Sequence, residues 1–137
     1  MCSSDLVALV PMHHWQSAEG RQLARRVAAQ KGLLGGVLGP PYRLRGGERE
    51  ALEALLALAE QEGCGIDLHI DESDQPPPQG LLLLREVLQH RPFQGALVAS
   101  HASSMGLLPD RPLRELAEGL AEAGVGVVAL QIGRAHV

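Results

Sequence analysis

A parallel α/β architecture is predicted by two observations. Five short aliphatic runs alternate along the chain with four amphipathic segments, and Gly, Pro or a capping residue marks most of the changeovers. The first run, Leu6–Val10, is ended by Pro11, and Ser17 is placed as the N-cap of a helix reaching about Gln30, with Gly32 as its stop. Leu33–Leu38 is the second strand, flexible at Gly35-Gly36 and broken by Gly39-Pro40-Pro41. Glu48–Gln61 carries Leu52, Leu55, Leu56 and Ala59 at helical spacing and ends near Gly63. Gly65–Ile70 is the third strand, Pro76–Pro78 a loop, Gly80–Gln89 a helix and Gln94–Ser100 the fourth strand. Pro112 opens a helix that runs through Leu113–Ala123, and Val125–Leu130 is the fifth strand. Two parallel architectures fit. One is a small doubly wound sheet, complete in this length; the other is an arc of a (β/α)8 barrel, a fold of about 250 residues. In both, function gathers at the C-terminal ends of the strands.

Composition removes several function classes. The chain has 137 residues, 45% of them hydrophobic and 20% charged, as in a soluble globular core. No apolar run approaches the roughly 20 residues of a membrane span. The formal charge of −4 and the scattered Arg residues favour neither nucleic acid nor an anionic membrane as partner. Cys2 and Cys64 make no disulfide framework, and Met1–Asp5 is not a signal peptide, so a cytoplasmic setting is expected. Trp15, Tyr42 and Phe93 are the only aromatics, which leaves Leu, Val and Ala to fill the core.

The two ends read differently from the rest. One possible codon reading of Ile132–Val137, ATC GGA AGA GCA CAC GTC, looks like a common short-read sequencing adapter. The adapter's reverse complement contains GTG TGC TCT TCC GAT CT, which translates as start-Cys-Ser-Ser-Asp-Leu, the N-terminus found here. Residues 1–6 and 132–137 are therefore expected to be adapter-derived, and residues 7–131 to be an internal piece of a longer gene.

The strand ends present His, Asp and Glu. The third strand closes as Asp67-Leu68-His69-Ile70-Asp71-Glu72, and its period of two puts Asp67 and His69 on one face. The fourth closes as Ala99-Ser100-His101, with His101 one strand–helix unit and 32 residues after His69. Singly, each histidine reads as a core residue bonded to backbone. Together at equivalent strand ends, with Glu72 beside them, they read as a site for metal-assisted hydrolysis. Gly35-Gly36 lies inside a strand and lacks the spacing of a nucleotide fingerprint.

These pieces, with Val98–Met105 and Ala123–Ala129, resemble the cytosine deaminase-like branch of the metal-dependent amidohydrolase superfamily. Val7–Pro11 is similar to that family's third barrel strand and Leu33–Pro40 to its fourth, so the resemblance covers strands three to seven. It implies hydrolysis of a C–N bond, the deamination of a cytosine-like aminopyrimidine or related nitrogen heterocycle by metal-activated water. One divalent ion, iron or zinc, is implied, with His69 among its ligands. Glu72 then serves as general base and acid, and His101 holds the attacking water, with Asp71 and Ser100 as orienting neighbours. A metal lowers the pKa of bound water from about 15.7 towards 7.

The departures are informative. The family places a Gln after the Pro of its third strand, where this chain has Met12-His13-His14. His13 and His14 are candidate substrate contacts, and Trp15 is expected to pack under the first helix. Neither the family's His-x-His pair nor its strand-eight Asp is present, so this polypeptide alone is expected to be inactive and to bind metal poorly. The expected partner is a small heterocycle, without nucleic acid or membrane; a homo-oligomeric parent is compatible with this reading. The alternatives are a non-catalytic doubly wound binding domain and an amidohydrolase that removes an alkylamine from a triazine ring.

Overall fold

The computed structural model describes residues 7–38, 47–70, 79–100 and 108–128. In order these form β1 (Val7–Pro11), a 3-10 helix (Met12–Gln16), α1 (Ala18–Ala29), β2 (Leu33–Leu38), α2 (Glu48–Glu62) and β3 (Gly65–Ile70). They continue with α3 (Gln79–His90), β4 (Leu97–Ser100), α4 (Asp110–Glu122) and β5 (Val125–Val128). The strands make one parallel sheet in the order β1-β2-β3-β4-β5.

That order decides between the two architectures. A doubly wound sheet reverses its strand order at a switch point, and no reversal occurs among these strands. Right-handed crossovers between strands in sequential order place every helix on the same face. Accordingly α1 touches α2, α2 touches α3 and α3 touches α4. The sheet is the arc of a (β/α)8 barrel, and the doubly wound alternative is overturned.

The sheet has one covered and one open face. Along β3, Ile66, Leu68 and Ile70 are buried, while Gly65, Asp67 and His69 are only half-buried. Leu97 and Ala99 of β4 continue the covered side, and Val98 and Ser100 the open one. Leu52, Leu55 and Leu56 of α2 and Leu81 and Leu84 of α3 pack against the covered face without solvent exposure. Leu9 and Val37, by contrast, stand 46% and 56% exposed on the open side. Trp15 and Phe93 are the aromatics of this core among the described residues, and Leu, Val, Ile and Ala fill most of the rest, as the composition requires.

Local chemistry explains most boundaries. Ser17 caps α1, its Oγ accepting from the Gly20 amide at 3.0 Å and donating to the His14 carbonyl at 2.6 Å. A Cβ at Gly20 would overlap that same His14 carbonyl, so glycine is what lets α1 start against the 3-10 helix. Pro112 lies in the first turn of α4 rather than at its start, where its missing N–H costs nothing. The strand expected over Gln94–Ser100 begins only at Leu97, and the Gln94 amide donates instead to Glu60 Oε2 at 3.2 Å. Gly35-Gly36 is not a flexible point. A Cβ at Gly35 would come within 2.9 Å of Val7 Cγ1 and 3.2 Å of the Ala8 and Asp67 carbonyls.

The end of α1 differs from expectation too. Lys31, not Gly32, takes the left-handed conformation, with φ 57°. The Lys31 amide then reaches the Ala28 carbonyl at 3.0 Å and the Gly32 amide the Val27 carbonyl at 2.9 Å. Gly63 fills the equivalent place after α2 without a Cβ penalty, at φ 74°. Lys31→Gly is therefore expected to stabilise the fold by about 0.5–1 kcal/mol; an unchanged or lower denaturation midpoint would contradict this.

Charged residues link the ring of helices. Arg49 of α2 pairs with Glu86 of α3, and Arg91 Nη2 donates to Glu60 Oε1 at 2.6 Å. The Arg91 side chain first, and the Gln94 amide second, hold the Glu60 carboxyl below the usual glutamate range. A carboxyl depressed by folding stabilises the native state above its unfolded pKa, about 4.3, and loses that contribution as pH falls through the folded value. Wild type is thus expected to exceed Glu60→Gln in stability near neutral pH, with the difference vanishing in acid. A difference that persists unchanged in acid would contradict the assignment. Among the described residues, no helix is long and apolar enough to cross a membrane.

Candidate active site

The C-terminal row of the open face is set by register. Pro11 pairs with Val37, Val37 with His69, His69 with Ser100, and Ser100 with Val128. In a parallel sheet, paired residues share a face. His69 therefore stands near the end of β3 beside Ser100 at the end of β4, on the side that none of the described helices covers. One row deeper, Asp67 lies between Gly35 and Val98.

Ser100 Oγ donates to Asp67 Oδ1 at 2.7 Å, running diagonally between the two rows. That spacing is the ordinary length of an O–H···O hydrogen bond. The period of two places Asp67 and His69 on one face, as the sequence indicated, but the bond to Ser100 depends on the offset between strands. A sequence yields no such offset until the sheet order is known.

Glu72, Asp71 and His101 lie outside the described residues. His13 is exposed on the 3-10 helix that follows β1, and His14 is half-buried with its ring edge-on to Trp15 at 6.3 Å. Met12 and Trp15 anchor that turn in the covered layer. Met12 lies against Gly36 on the covered face, and Trp15 Nε1 donates to the Gly35 carbonyl at 2.8 Å. Met12, which stands where the resemblance leads one to look for a Gln, is thus a core residue. Cys64 is buried as well, and burial, then the Glu62 carboxylate, raise its thiol pKa; it is held as an inert thiol.

Among the described residues, no three His, Cys, Asp or Glu side chains gather to hold an ion. The His69 imidazole, at the open C-terminal end of a strand, is of the ligand type that suits zinc or iron.

No protein-family model matches the chain. A pterin deaminase from Rhizobium rhizogenes (strain K84 / ATCC BAA-868) is 27% identical over 96 residues, which are 70% of this chain and 22% of that protein. The structure of 5-methylcytosine deaminase from Klebsiella pneumoniae liganded with phosphonocytosine matches with a TM-score of 0.63 at 26% identity. The match covers 88% of this chain and 30% of that one, and the same enzyme liganded with 5-fluorocytosine gives the same score and identity. N-isopropylammelide isopropylaminohydrolase from Burkholderia multivorans ATCC 17616 matches at a TM-score of 0.65 and 28% identity, over 90% of this chain and 31% of that one. The chain therefore spans between about a fifth and a third of the length of these relatives.

Proposed function

We propose that this chain, whose homologues are deaminases and aminohydrolases of the amidohydrolase superfamily, is the strand-three-to-strand-seven portion of a barrel enzyme of that kind. Residues 7–131 form that portion. The enzyme hydrolyses a C–N bond of a small nitrogen heterocycle and releases an amine or ammonia. The observation that carries this reading is the sequential parallel sheet, which puts His69 on its uncovered face at the strand ends. The relatives' names point to pterin, cytosine and triazine-like substrates, and the cytosine-analogue complexes support a small ring as ligand.

His69 would contribute one ligand to a divalent metal, iron or zinc, which when bound makes water nucleophilic at neutral pH. Glu72, two residues beyond β3, takes the two protons of the attacking water in turn and passes one to the ring nitrogen and the other to the leaving amine. His101, directly after β4, hydrogen-bonds the attacking water. His13, exposed after β1, is the better placed of the two vicinal histidines to meet substrate. Met12 offers the ring no polar edge because it is buried in the covered layer. A cytosine-reading amide is thus absent from that position, which favours a ring other than cytosine itself.

The test is amine release from aminopyrimidines, aminopteridines and alkylaminotriazines by the polypeptide of the complete reading frame. Activity on at least one class, lost in Glu72→Gln, is expected; no release from any class overturns the reading. The 137-residue chain alone is expected to be inactive. Ammonia release by it above a Glu72→Gln control would refute that part of the account.

A further inference from the structure

We propose that Asp67 and Ser100 form a positioning pair that fixes the seam between β3 and β4 at the level of His69. The inference rests on the deaminase reading and concerns residues to which that reading gives no catalytic step. Ser100 is the register partner of His69, and Asp67 precedes His69 by one same-face step on β3. The 2.7 Å bond between them therefore braces both strands from the face that carries the imidazole. Same-face residues along a strand are about 6.6 Å apart and neighbouring strands about 4.8 Å, so a diagonal contact forms only when two short side chains lean together.

The chemistry of the position supports a role beyond packing. Leu9, Val98 and the two glycines 35 and 126 make up the rest of Asp67's row, so a carboxylate is the one polar side chain in it. In a closed barrel this row faces the interior, where an aliphatic residue would avoid the cost of desolvating a charge. Retaining Asp there breaks the binary pattern, as proteins do at functional sites. The backbone ladder sets the register of β3 and β4, and the Asp67–Ser100 bond sets how the two strand ends stand to each other on the open side. His69 is thereby held at a fixed place relative to the end of β4. Neither partner touches the reacting atoms.

The experiment uses the complete enzyme. Ser100→Ala and Asp67→Ala are each expected to lower kcat by roughly 10- to 100-fold, with KM little changed and metal lost faster to a chelator. The double substitution is expected to be no worse than the more damaging single one, because both remove the same bond. Ser100→Thr and Asp67→Asn keep a hydroxyl donor and an oxygen acceptor and are expected to recover most of the loss. Ser100→Ala removes only a hydroxyl and carries the test if Asp67→Ala does not fold. Wild-type kcat and metal retention in Ser100→Ala, or losses that multiply in the double variant, would overturn the pair. His69→Ala separates the two claims. If it keeps both metal and amine release, the deaminase reading fails. If it loses both while Ser100→Ala loses neither, only the positioning pair fails.

Discussion

Substitution of His69 by alanine in the complete enzyme is expected to cost metal retention and amine release together. The residue lies near the end of β3 on the face that none of the described helices covers, and a methyl group there offers no donor to an ion. Loss of groups that merely support a ligand costs roughly 10- to 100-fold, so loss of the ligand itself is expected to exceed about 100-fold. Metal content by atomic emission and amine release under saturating substrate check the two effects independently. An unchanged melting temperature of the apo-protein separates a lost ligand from a lost fold. Full metal occupancy with wild-type turnover would remove His69 from the site.

The largest stability effect is expected at Trp15. The side chain is 1% exposed, sits where the 3-10 helix meets α2, and bonds the Gly35 carbonyl in the middle of β2. Trp15→Ala leaves a cavity and strips that carbonyl of a partner, a change worth about 3–5 kcal/mol. Against a total of about 5–15 kcal/mol for a domain, this is a large fraction. Trp15→Phe keeps most of the ring and loses the N–H, with an expected cost of about 1–3 kcal/mol. Denaturant titration followed by far-ultraviolet circular dichroism measures both. Equal costs for the two variants would mean that the hydrogen bond, and not the volume, holds the turn in place.

Much of this fold is legible in the sequence, for physical reasons that can be named. β2 and β3 match expectation residue for residue because glycine or turn residues flank aliphatic runs on both sides. Ser17 is legible as a cap because only a small side-chain acceptor can reach back to the Gly20 amide. The 3-10 helix at Met12–Gln16 is not legible: its vicinal histidines look like a loop, and it forms because Met12 and Trp15 find places in the covered layer. The early residues of the expected fourth strand are lost to Glu60, a partner 34 positions away that no local pattern signals. The hydrophobic pattern alone leaves the two architectures open, since strand order is a property of pairing; it is the family resemblance that points to the barrel, and the sequential sheet agrees with it. At the site, the shared face of Asp67 and His69 follows from alternation alone, and the Asp67–Ser100 bond does not. Glu72 and His101 lie outside the described residues, and their roles rest on the sequence motif and the proposed chemistry.

The most direct test of the account is the genomic reading frame on either side of residues 7–131. A strand-like segment ending in His-x-His upstream, and a further strand ending in Asp downstream, are expected in one continuous frame. A stop codon just past Leu130 would contradict the barrel-enzyme reading and make the five strands a small domain in their own right.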